Sequence, residues 1–411
     1  MPEFLTLLPP DQARDKLLSH LSPPTAAPES LPVDSALGRV TAEDVIAPHP
    51  LPEFPRTTVD GYAVRARDTF GATDSLPTYL NLIGEVPMGD EPAFEIGLGQ
   101  CALIHTGGML PKGADAVVML EYTQRIASTD EIEIFKSVAD GENVIRIGED
   151  VAKDQAVIPK GTILRPAEIG GLMALGITSL PVARKPKVGL ISTGDEVIEP
   201  GQRPRPGQVR DINSYTLGAL IEKSGGVPIR YGIFGDQFEV LKEAAARALS
   251  ECDVIIITAG SSASTRDMTA EVIRQLGEPG VLVHGINTRP GKPTILGACE
   301  GKAVIGLPGN PVSALVNGYL FIVPVIETLL GALPKPKATV QAQLTVNLPS
   351  QAGREDWWAV KLKMEKGKRS AEPIFGKSNL IFTLASADGL LKIHPDATGL
   401  SAGETVEVVL I

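Results

Sequence analysis

Three short apolar runs, at 188–191, 254–257 and 303–305, each lead into a loop of small and polar residues, and this arrangement constrains the chain more than any other feature. The runs are too brief for helices and rich in β-branched residues, which suits strands covered on both faces. Between them the apolar spacing at 217–223, 238–249 and 268–276 is helical. Strands alternating with helices predict a doubly wound parallel sheet. Its loops line one crevice at the carboxyl ends of the strands. Three loops are therefore expected to converge: Ser192-Thr193-Gly194-Asp195-Glu196, the serine-rich stretch from Ala259 to Asp267, and Gly306-Leu307-Pro308-Gly309-Asn310-Pro311.

The chain has 411 residues, too many for one ordinary core, so about two to four domains are expected. A net charge of −11 with no block of like charges argues against a nucleic-acid groove, and any anionic ligand must be met locally. Cys101, Cys252 and Cys299 are scattered and in no CxxC pair, which indicates neither a disulfide framework nor a thiolate metal site and fits a reducing cytoplasm. The first residues carry no basic stretch followed by an apolar core, so no secretory signal is expected. The longest apolar run, 312–330, is interrupted by Asn317, Pro324 and Glu327 and follows a Pro-Gly-Asn-Pro turn, so it reads as a helix closing the sheet, not as a membrane span.

Outside the central sheet, 11–21 has the pattern of a short amphipathic helix, and the proline-rich 22–33 is a connector. From 51 to 143, short apolar runs punctuated by Gly and Pro predict a small all-β domain. The strictly alternating 340–346, with similar patterns at 360–364 and 406–410, predicts a small closed β barrel. Two familiar motifs fail: an extended run, not a helix, follows the glycines at 97–99, and Pro293 stands where a phosphate loop needs Ser or Thr. The five histidines never pair at zinc-ligand spacing.

In Gly306-Leu307-Pro308-Gly309-Asn310-Pro311-Val312-Ser313, Asn310 stands where a helix cap is expected and Pro311 at the first helical position. This is either a phosphate seat, with glycines admitting backbone N–H groups to an anion, or an ordinary strand-to-helix turn. Arg289 and Lys292 lie on the proline-bounded turn Arg289-Pro290-Gly291-Lys292-Pro293, offering a planar fork and a point charge to an oxyanion. Against them stand Asp195, Glu196, Asp236 and Asp267. Acids at several strand ends beside anion-binding loops suggest Mg²⁺ bridging to phosphate oxygens, while Asp267 could equally be a helix cap.

Taken together, these loops resemble the molybdopterin molybdenumtransferase family, MoeA and the gephyrin E domain, along essentially the whole chain. The resemblance also rests on Asp60-Gly61-Tyr62-Ala63-Val64, His105-Thr106-Gly107-Gly108, Gly113-Ala114-Asp115-Ala116-Val117-Val118 and Ile147-Gly148-Glu149-Asp150-Val151. It implies a multidomain α/β plus β chain: a connecting domain of 1–51 and 147–184, a β domain of 52–146, a doubly wound molybdopterin-binding α/β domain of 185–334, and a C-terminal β barrel of 335–411. It implies insertion of molybdate into adenylylated molybdopterin (molybdopterin-AMP) with Mg²⁺ and release of AMP, in a cytoplasmic homodimer that binds neither nucleic acid nor membrane. The implied catalytic acids are Asp60, Asp150, Glu196, Asp236 and Asp267, with Asp236 and Asp267 also as metal ligands. Implied substrate contacts are Thr106, Ser262, Arg289, Lys292, Pro308, Gly309, Asn310, Ser313 and Ser378. In such homodimers Asp60, Thr106 and Asp150 face the other subunit's sheet loops. The chain departs from common relatives at Gly285, Arg289 and the serine-rich loop. Two other readings compete: a molybdopterin adenylyltransferase, disfavoured by the accessory domains, and a non-catalytic pterin-binding scaffold, disfavoured by the retained acids.

Overall fold

The computed structural model describes residues 7–23, 27–259, 263–365 and 367–411, with the backbone alone at 263–266 and 365. Helix α1 (Pro10–Leu18) starts on a proline, whose fixed φ suits the first turn, and ends three residues earlier than the periodicity predicts. Its buried Ala13 and Leu17 lie four apart on one face, and they pack into the core of the α/β unit described below.

The β domain forms one six-stranded sheet from β1 (Gly61–Val64), β2 (Thr78–Glu85), β3 (Gln100–Ile104), β4 (Ala116–Met119), β5 (Thr123–Ile126) and β6 (Glu131–Ile134), in the order β4-β1-β3-β2-β6-β5. Strand β1 lies inside the sheet and is wholly buried, and its glycine is required there: a Cβ on Gly61 would lie 2.0 Å from the Val118 carbonyl oxygen. Next in the chain, helix α2 (Pro166–Ala174) joins an antiparallel pair, Glu29–Pro32 with Ser179–Val182, around Val33, Leu164, Leu172 and Leu180.

The central unit follows the predicted alternation: β7 (Lys187–Thr193), α3 (Asn213–Lys223), β8 (Val227–Phe234), α4 (Phe238–Glu251), β9 (Val254–Ala259), α5 (Ala263–Leu276), β10 (Pro279–His284), β11 (Thr288–Arg289), β12 (Ile295–Cys299) and β13 (Lys302–Pro308). The sheet order is β8-β7-β9-β13-β12-β10. Its two faces are read off by parity. Val188, Leu190, Val254, Ile256, Ala303 and Ile305 face the core shared with α1 and α3, whereas Ile191, Ile255, Ile257 and Val304 face α4 and α5. The expectation of a parallel sheet holds for β8, β7, β9 and β13; β12 and β10 join antiparallel. The reason lies in the two-residue connection Glu300-Gly301, both at positive φ, which makes a hairpin and is far too short for a parallel crossover.

The apolar run after β13 is helical but not one uniform helix. It comprises α6 (Pro311–Asn317), a π turn (Gly318–Ile322) and α7 (Val323–Leu329). Length and composition would let it cross a membrane, yet Phe321, Ile322, Val325 and Ile326 are packed in the same core as α1 and α3.

The C-terminal strands β14 (Thr339–Leu344), β15 (Glu355–Glu365), β16 (Lys368–Pro373), β17 (Gly389–Ile393) and β18 (Thr405–Leu410) run β15-β16-β14-β18-β17, and β17 pairs back onto β15. This closes the predicted barrel. Strand β11, from the α/β unit, adds in parallel to β15 on the barrel.

Candidate functional site

The pairing of β11 with β15 sets Thr288 opposite Glu355 and Arg289 opposite Asp356, so the basic turn after β11 is carried to the seam between sheet and barrel. The Asn287 carbonyl accepts the Glu355 N–H at 3.1 Å, and the Thr288 hydroxyl donates to the Glu355 carbonyl at 3.1 Å. At the turn itself, Gly291 has φ +102°, and a Cβ there would stand 1.7 Å from Asn317 Nδ2. Only glycine fits. Asn317 is fully buried and donates to the Pro290 carbonyl at 3.2 Å, fastening the turn to α6.

A cavity of about 700 Å³ lies along this seam. Among the described residues, Arg289, Lys292, Arg354 and Lys377 line it, with Asp356 as the single carboxylate. Pro308, Asn310, Ser313 and Ser378 are also in its wall. The two tryptophans of the chain, Trp357 and Trp358, complete it, and the Arg289 guanidinium stands 5.6 Å over the Trp358 ring. Four cations against one carboxylate give this cavity a net positive lining in a chain of net charge −11.

A second cavity of about 400 Å³ opens at the carboxyl ends of β7, β9 and β13 and shares Asn310 and Asn379 with the first. Ser192, Thr193, Glu196, Thr258 and Gly309 belong to its wall, as the converging-loop argument expects. Asp211 and Asn213, also in this wall, are not singled out by the sequence reasoning. Asp211 is buried and accepts the Ser192 hydroxyl at 2.8 Å, the Ser214 hydroxyl at 2.6 Å and the Ser214 N–H at 3.1 Å. Asn213 donates to the Gly309 carbonyl at 2.9 Å, while its Oδ1 is buried without a partner. An unmatched buried acceptor is costly, and a ligand N–H or O–H would satisfy it. Asp211 did carry a signal, a helix-capping residue type shortly before a helical pattern.

Two local expectations are corrected. Asn310 occupies the cap position of α6 but makes no side-chain cap hydrogen bond; Pro311 has no N–H, and the Val312 N–H, one of the two a cap would bond, is donated to the Ser378 carbonyl at 3.0 Å. The barrel loop thus caps this helix and narrows the expected phosphate seat. Asp267 does not close a loop or cap α5; the helix begins at Ala263, which puts Asp267 in its second turn, exposed. Ser262 lies outside the described residues.

The other acids line neither cavity. Asp60 accepts the Thr106 N–H at 2.7 Å and its hydroxyl at 3.0 Å, which brings two predicted residues together. The Thr106 N–H, then its hydroxyl and more weakly His105, hold the Asp60 carboxyl below the usual range. His105 also contacts Glu85, Nε2 to Oε1 at 3.0 Å. Asp150 is exposed after the short strand Val144–Ile145. The exposed Asp236 donates its backbone N–H to Asp195 at 3.1 Å, joining the loops after β8 and β7. Among the described residues no three His, Cys, Asp or Glu side chains form a ready metal cluster. Asp236 and Asp267 are both exposed, and Mg²⁺ takes few protein ligands beside substrate phosphates and water.

Comparison with known proteins covers nearly the whole chain. Residues 8–176 match the model of the MoeA N-terminal region (domains I and II), 189–328 the probable molybdopterin-binding domain, and 341–411 the MoeA C-terminal region (domain IV). A putative molybdopterin biosynthesis protein of Methanocaldococcus jannaschii is 40% identical over 92% of this chain and 90% of its own length. The molybdopterin molybdenumtransferase of Haemophilus influenzae is 35% identical over 97% of both chains. Among solved structures, the molybdopterin biosynthesis MoeA protein of Pyrococcus horikoshii OT3 superposes with a TM-score of 0.86 at 36% identity, covering 99% of this chain and 100% of that one.

Proposed function

The chain belongs to the MoeA family of molybdopterin molybdenumtransferases, and from that premise we infer that it is an enzyme of molybdenum cofactor biosynthesis that inserts molybdate into adenylylated molybdopterin and releases AMP. One observation carries the reading into this molecule: a cation-lined seam cavity adjoins a polar cavity at the strand ends. The substrates are a pterin bearing a pyrophosphate-linked nucleotide and a doubly charged oxyanion. Adjoining seats, one strongly cationic and one rich in hydrogen-bonding groups, suit that pair.

The roles follow from the residues. Arg289, Lys292 and Arg354 meet the anionic groups, with Ser313 and Ser378 as hydroxyl donors in the same wall. Asn213 Oδ1, Thr258 and Glu196 face the pterin nucleotide in the second cavity. Asp60, kept ionised by Thr106, and Asp150 supply further carboxylates from outside both cavities. Asp236 and Asp267 would hold Mg²⁺, which supplies charge neutralisation for the phosphates. A homodimer with sites shared between subunits accounts for acids placed so far from the cations in sequence. Cysteine usage fits a cytoplasmic location. We divide the chain as 1–51 with 147–184, then 52–146, 185–334 and 335–411.

Purified protein given adenylylated molybdopterin, Mg²⁺ and molybdate should release AMP only when all are present. Equal AMP without molybdate, or undiminished AMP after chelation, would refute metal insertion. ATP-dependent adenylylation of free molybdopterin would support the adenylyltransferase instead.

A further inference from the structure

We propose that Asp356 is a positioning residue for anion binding: it fixes the direction of the Arg354 guanidinium and anchors Arg289 across the seam, an inference that rests on the seam cavity being the oxyanion seat. The Asp356 side chain is 1% exposed. An ionised carboxylate at that depth is tolerated only when closely paired. Arg354 meets it with two parallel contacts, Nε to Oδ1 at 2.6 Å and Nη2 to Oδ2 at 3.0 Å. Arg289 Nη1 reaches Oδ2 from the other domain at 3.9 Å. The same backbone pairing that sets Arg289 opposite Asp356 therefore brings two guanidinia to one carboxylate.

This geometry does two things for the cavity. The fork leaves Arg354 with its Nη1 side free apart from a long contact to Gln351 at 3.4 Å, so the edge offered to a ligand is determined by Asp356. The carboxylate also screens Arg289 from Arg354, allowing two cations to share a wall while the cavity is empty of ligand charge. Arg354 keeps 25% of its side chain exposed, enough to meet an anion while its other edge is held.

The positioning role makes a prediction of counterintuitive sign. Asp356→Asn removes a negative charge from a cationic cavity, so a purely electrostatic account expects molybdate to bind more tightly. Loss of a preset guanidinium predicts weaker binding, by about tenfold or more, the size expected when a charge-assisted hydrogen bond is lost. Molybdate binding to the full-length protein by calorimetry, with thermal unfolding in parallel, decides between them. The comparison includes Arg354→Ala and the double variant, in which Asp356→Asn should add little. Arg354→Lys keeps the charge but not the fork and should show the same weakening, which preserves the test if Asp356→Asn fails to fold. Unchanged or tighter binding in Asp356→Asn, an equal loss with and without Arg354, or unchanged binding in folded Arg354→Lys would overturn the proposal. If Arg289→Ala and Arg354→Ala both bind molybdate as the unmutated protein does, the seat itself is elsewhere, a different failure.

Discussion

Gly291→Ala should unseat the basic turn, and the cost can be worked from its surroundings. The added methyl would meet Asn317 Nδ2 at 1.7 Å and Cγ at 2.7 Å, on a residue with φ +102°. A non-glycine residue in that backbone region costs about 1–3 kcal/mol. Relieving the clash requires the fully buried Asn317 to move, giving up its hydrogen bonds to the Pro290 carbonyl at 3.2 Å and the Ser313 carbonyl at 2.8 Å. Each contributes about 0.5–1.5 kcal/mol, so the total is about 2–6 kcal/mol. Trp357 and Trp358 are the chain's two tryptophans and line the seam, so urea unfolding followed by their fluorescence reports on the relevant unit. The midpoint should fall with the slope unchanged. Repeating the substitution in Asn317→Ala separates the two causes: with the amide gone, only the backbone strain of about 1–3 kcal/mol remains. Equal destabilisation in both backgrounds would show that the contact with Asn317 is not the reason for the glycine, and unmutated stability in Gly291→Ala would refute the whole estimate.

Other consequences are equally direct. Arg289→Ala should weaken nucleotide or oxyanion binding by about tenfold to a hundredfold in a folded protein, and unchanged affinity would return that turn to solvent decoration. Asp60 should titrate by NMR below the ordinary 3.8 of an aspartate, because Thr106 donates to its charged form. Thr106→Val removes the hydroxyl but not the N–H, so the midpoint should rise only part of the way; a midpoint that does not move would show that the hydroxyl contributes nothing. Asp150→Ala and Asp267→Ala, each inactive alone, should recover about a quarter of full activity after random subunit exchange, since half the dimers then carry one intact site of two. Zero activity after confirmed exchange would place both acids in one subunit's site.

The sequence by itself determined whatever depends on neighbours along the chain. Apolar period and β-branching located β7, β9 and β13 with their intervening helices, and strict alternation located the barrel strands, because burial on one or both faces imposes those periods locally. Glycine and proline located the turn at 289–293 and the start of α6, because their backbone preferences are intrinsic. Tertiary structure decided what needs two distant segments at once. The pairing of β11 with β15 brings Arg354, Asp356, Trp357 and Trp358 to Arg289 across more than sixty residues, and no local pattern encodes that register. The same holds at α6, where one of the two N–H groups that Asn310 would cap is donated to Ser378 of the barrel. Asp211 was within reach of a capping signal, but its place and that of Asn213 beside Glu196 and Thr258 follow from how the sheet and α3 pack, which no local pattern encodes.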